Sequence, residues 1–185
     1  MAKNRTGSSA ERPAHPLLEE LRALPAAAEG LFAYSVKIVC GRQTETNCCC
    51  VAGARPGVYT TEVNIQNLNL RPAPVVKAVL PLINSGAVVA REPKVADPFA
   101  IPGRAIEEAV RLPPWGATMD DCCRIAELLL GAPPSGETTL TVGLLTILSL
   151  VELSVSAVYT ANPLTGNGIS IDVEYIPSTR IPLRG

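Results

Sequence analysis

Hydrophobic and polar positions change period several times along the chain. Over 16–24, Leu17, Leu18, Leu21 and Leu24 recur at helical spacing with Glu19, Glu20 and Arg22 between them. That spacing predicts a short amphipathic helix with Pro16 in its first turn, docked on its own domain or on a neighbouring subunit. From Leu31 the period becomes two. Phe32, Tyr34, Val36, Ile38 and Cys40 share one face of a strand, and Ala33, Ser35, Lys37 and Val39 take the other. A polar loop is predicted over 41–47. After a turn at Pro56-Gly57, residues 58–68 read as a second strand, with Tyr59, Thr61, Val63, Ile65 and Asn67 on one side. Residues 75–83 form a third, and Asn84-Ser85-Gly86 turns it into 87–91.

The middle, 92–121, is broken by Pro93, Pro98, Pro102, Pro113 and Pro114. Within it, 105–112 fits a strand better than a helical turn. Asp120 or Asp121 is placed to cap a helix over 122–130, which Gly131 and Pro133 end. Two β-branched strands follow, over 139–148 and 151–160. The uncharged run over 138–151 invites a membrane reading, but it falls short of the roughly 20 residues a spanning helix needs, and its Thr, Val and Ile content favours strands. Turn chemistry over 162–168 leads to a last strand over 169–176. There Ile169, Ile171, Val173 and Tyr175 share one face, and Ser170, Asp172 and Glu174 the other.

Short strands joined by Gly/Pro turns predict an all-β fold, an antiparallel β-sandwich with one short helix near 122–130 and the N-terminal amphipathic helix. The expected organisation is a disordered leader over 1–15, the N-terminal helix and linker over 16–29, the sandwich over 30–177 and a trailing tail over 178–185.

Charge narrows the partners. Charged residues make up 18% of the chain and the net charge is −1, so there is no basic stripe for nucleic acid. Weak net repulsion favours self-association. The polar start, residues 1–10, contains no apolar signal core, which predicts a cytoplasmic protein with reduced thiols.

Ordered motifs also carry a likeness. Residues 34–41 (YSVKIVCG), 56–67 (PGVYTTEVNIQN), Asp121-Cys122, 157–161 (AVYTA) and 170–177 (SIDVEYIP) together resemble a family of uncharacterised bacterial β-sandwich proteins. The family pattern reads Y-x-V-K-x-V-C-G, P-G-x-Y-x-T-x-I-N-I-H-N-P, D-C, A-V-Y-T-A and S-I-D-V-E. The resemblance spans about residues 31–177 and implies a fold without implying an activity. Gln66 and Leu68 replace the pattern's His and Pro, so no role for that histidine carries over. Cys40 and Cys122 belong to the pattern; Cys48, Cys49, Cys50 and Cys123 do not. The layout is also similar, at fold level, to sensory-rhodopsin transducer-like proteins, which are oligomeric.

The six cysteines are the main candidates for chemistry. Thiolates select Zn or Cu(I), and Cys40, Cys48, Cys50, Cys122 and Cys123 are the metal-ligand candidates. Against that reading, no C-x-x-C occurs, and buried Cys commonly serves as a small hydrophobe. A redox or disulfide role is the other thiol reading, with Cys40 and Cys122 meeting across the sandwich. Asp172 and Glu174 lie on one strand face, where a solvated surface explains them better than acid–base work. His15, the single histidine, lies in the leader. Trp115 is read as a core plug or lid, or else as an exposed anchor for a partner. No residue is assigned as catalytic and none as cofactor-binding. The expectation is a non-enzymatic homo-oligomer that assembles with itself or binds an unidentified protein or small molecule. The alternative is a metal-binding or redox protein using Cys40, Cys48, Cys50 and Cys122.

Overall fold

The computed structural model describes residues 30–44, 56–88, 107–130, 138–165 and 168–182. The leader, the N-terminal helix, Cys48, Cys49 and Cys50 lie outside them. Among the described residues, ten strands and one helix run in the order β1 Leu31–Gln43, β2 Gly57–Gln66, β3 Ala73–Asn84, β4 Ala87–Val88, β5 Glu107–Leu112, β6 Ala117–Asp120, α1 Cys122–Leu130, β7 Thr141–Ser149, β8 Ser154–Pro163, β9 Ser170–Tyr175 and β10 Thr179–Ile181. All ladders between these strands are antiparallel, and the fold is all-β as expected.

The strands are hydrogen-bonded in the order β4-β3-β7-β1-β2-β8-β9, with β5 on β3, β6 on β2 and β10 on β1. They divide into two layers that share β1. Phe32 to Cys40 pair with β7, and its last three residues, Gly41 to Gln43, pair with β2. The predicted loop at 41–47 therefore begins as the end of a strand that leaves one layer and joins the other. Gly41 makes the crossing possible. It has φ +101°, and a Cβ there would lie 2.6 Å from the Thr139 carbonyl oxygen and 2.7 Å from that of Thr138. Only glycine adopts that backbone freely and leaves room for the neighbouring chain.

The alternations read from sequence become the core. Tyr34, Val36, Ile38 and Cys40 of β1 meet Val63 and Ile65 of β2, Val75 and Val79 of β3, Leu145 and Ile147 of β7, and Val155 and Ala157 of β8. Tyr34 is buried with its hydroxyl satisfied twice: it donates to the Leu153 carbonyl at 3.0 Å and accepts the Leu153 N–H at 2.6 Å. Burial pushes the Tyr34 phenol up from its ordinary value. Helix α1 begins where predicted, and the cap is Asp121, whose Oδ1 accepts the Arg124 N–H at 2.8 Å.

Three expectations change. The tail does not simply trail off, because Thr179–Ile181 forms β10 and pairs with residues 31–33 of β1, where Arg180 also covers the Phe32 ring at 4.8 Å. Ala117–Asp120, hidden in the proline-rich middle, is a strand against β2. Trp115 is no core plug: it sits at a turn with φ +61° and is 61% exposed.

The crossing at Gly41 predicts a defined cost. Gly41→Ala is expected to lower unfolding free energy by about 1–3 kcal/mol through backbone strain alone, read as a reduced urea midpoint. An unchanged midpoint would mean that β1 does not cross layers there.

Candidate functional site

Cys40 is the last residue of β1 before the crossing, and its inward position follows from the alternation with Val36 and Ile38. Cys122 is the first residue of α1, set by the Asp121 cap. The two are joined in a disulfide with Cα atoms 5.6 Å apart and a sequence separation of 82. Around the bond β1 and β2 separate, and side chains take over the ladder. The Thr61 hydroxyl accepts the Val39 N–H at 2.9 Å and donates to the Val39 carbonyl at 3.1 Å. The Thr61 N–H points at the Cys122 sulfur, 3.2 Å away. Thr61 is fully buried, so this local pairing replaces backbone bonds that would otherwise be lost.

The disulfide corrects the thiolate reading for two of its candidates. Each sulfur of Cys40 and Cys122 is committed to the other, so in this state neither offers a thiolate to Zn or Cu(I). Cys123 is a free thiol on the exposed side of α1. Cys48 and Cys50 lie outside the described residues. Among the described residues, no group of three or more His, Cys, Asp and Glu side chains is placed to hold a metal ion.

A groove of about 370 Å³ opens between the end of β1 and β9. Val39 and Tyr59 supply apolar wall, themselves packed on a small cluster of Ile83, Leu140 and Val142. Lys37, Asp172 and Glu174 supply charge. Tyr159, Asp172 and Thr61 sit in one row because the ladders set Thr61 against Tyr159 and Tyr159 against Asp172. The Tyr159 hydroxyl donates to Glu174 Oε2 at 3.2 Å. Burial, then the charge of Glu174 and its hydrogen bond, then the charge of Asp172 push the Tyr159 phenol up to about 12. The groove continues past Tyr59, Ala161 and Ser170 into a second hollow lined by Pro56, Asn162 and Ile169. Both carboxylates are exposed to water, which matches the solvated-face reading of Asp172 and Glu174.

The other face of β9 was legible as apolar but not as exposed. Ile169, Ile171, Val173 and Tyr175 are 64–66% exposed, and β9 is the end of the strand order, paired among the described residues with β8 alone. Alternation alone cannot say which face of a strand meets the core. Sequence reasoning also missed Lys77. It lies between Val75 and Val79 on the inward face of β3, and a lysine inside an apolar strand was the available signal. It is 2% exposed and its Nζ donates to Asp120 Oδ1 at 2.7 Å, with Asp120 1% exposed. Asp120 is thus no helix cap but the partner of a buried cation.

Comparison with known proteins finds no matching family model, no matching curated protein and no matching solved structure.

The raised phenol fixes a pH dependence. Between the ordinary tyrosine value near 10 and about 12 the unfolded chain loses the Tyr159 proton first, so stability falls as pH rises through that window. Absorbance titration of phenolate is expected to show a step near 12 that disappears in Tyr159→Phe; an identical curve in the variant would contradict the Glu174 contact.

Proposed function

We propose that this chain is a non-enzymatic assembly module that pairs with a second copy of itself along β9. One observation carries the reading: every residue of β9 is exposed, and its apolar face stands open at the end of the sheet. An open strand edge is a template for pairing, and natural sheets blunt such edges with charge, proline or bulges. On β9 the two carboxylates lie on the opposite face, so nothing charged interrupts Ile169, Ile171 and Val173.

A second copy suits this edge because an antiparallel pair is two-fold symmetric and therefore self-complementary. Centred on Ile171, the pairing sets Ile171 against its mate, Ile169 against Val173 and Ser170 against Asp172. Apolar faces then meet, and no two carboxylates stand directly opposed. A net charge of −1 adds little repulsion between copies. Exposed carboxylates, one of them engaged by Tyr159, support the non-enzymatic part.

No helix among the described residues is long and apolar enough to cross a membrane. Disulfides persist in oxidising compartments and are rare in the cytosol, so the Cys40–Cys122 bond favours an oxidising setting over the cytoplasmic one expected from residues 1–10.

Size-exclusion chromatography with light scattering at micromolar concentration is expected to give a dimer or larger oligomer. Ile171→Lys combined with Val173→Lys is expected to give a monomer with an unchanged circular dichroism spectrum. A wild-type monomer would overturn the reading.

A further inference from the structure

The buried pair Lys77–Asp120 has no part in the β9 edge or the groove. Lys77 belongs to β3 in one layer, and Asp120 ends β6 in the other. Their contact is 2.7 Å and both side chains are almost wholly buried. The second carboxylate oxygen, Asp120 Oδ2, is buried with no hydrogen-bond partner among the described residues. As an ion pair this arrangement is expensive. Two charges have left water, and one acceptor of the anion is left unsatisfied.

We propose that Lys77 and Asp120 form a self-modification site, condensing to an intramolecular amide that joins β3 to β6. Within the contact the proton that Nζ donates passes to the carboxylate, leaving a neutral amine and a carboxylic acid. The amine lone pair attacks Cγ of Asp120. The new N–C bond forms, one C–O bond breaks, and the departing hydroxyl takes a proton from nitrogen to leave as water. No oxidant or other reactant is consumed. The fold supplies two conditions for the step. It holds amine and carboxyl together, which turns a bimolecular condensation into a unimolecular one. It also excludes water, which would otherwise solvate the charges and reverse the reaction. The product removes both buried charges, and one carboxylate oxygen departs with the water.

The test is the mass of the purified full-length protein, reduced and denatured, beside a Lys77→Arg variant that keeps a cation facing Asp120 but lacks the amine. Wild type is expected to weigh less than its sequence by one water, and Lys77→Arg to match its sequence. Proteolysis is expected to yield a branched peptide joining Lys77 to Asp120, with no tryptic cut after Lys77. A wild-type mass equal to the sequence, or a water loss that maps elsewhere, would overturn the proposal. The wild-type measurement decides even if the variant fails to fold.

Discussion

The two layers are tied where β6 runs into α1. Three consecutive residues there do three different jobs. Asp120 reaches the buried Lys77 of β3, Asp121 caps α1, and Cys122 bonds Cys40 of β1. Two of the ties end on strands of the opposite layer. Closing a separation of 82 residues with a disulfide contributes about 4 kcal/mol in the chain-entropy account, a large share of the stability of an ordinary domain. The cap matters because it sets the first turn of α1, and with it the direction of Cys122.

The same tie lets β1 do something unusual. A strand that serves two layers must bend, and at the bend its backbone bonds lose their regular partners. Gly41 supplies the bend, the hydroxyl of Thr61 replaces the missing ladder at Val39, and the disulfide holds the junction closed from inside. With the interior secured at that end, β9 lies at the end of the strand order, with Ile169, Ile171, Val173 and Tyr175 exposed among the described residues. In the proposed assembly, its apolar side is the surface that a second copy would meet.

Most strands were legible because period-two alternation is a strong signal where one face is buried, as for Tyr34, Val36, Ile38 and Cys40. The helix was legible from its aspartates and apolar run. Less could be read where the physics is not local. The four residues of β6 are too few to show a period, and prolines surround them. The pairing of β10 depends on an edge of β1 that no sequence window contains. Cys40 and Cys122 were each placed correctly and their meeting across the sandwich was one of the thiol readings, but the choice between a disulfide and a metal site depends on a distance that no sequence window contains. For Lys77 the surprise is the partner: a lysine inside an apolar strand is visible, but not the aspartate it meets from the other layer. The exposure of Ile169, Ile171, Val173 and Tyr175 is a property of strand order, which alternation does not encode.

Alkylation of the denatured protein before and after reduction, with each cysteine read by peptide mapping, tests the interlayer tie most directly. Cys40 and Cys122 are expected to stay unlabelled until reduced and then to label together, whereas Cys123 labels from the start. Labelling of Cys40 or Cys122 before reduction would contradict the tie on which the layers depend.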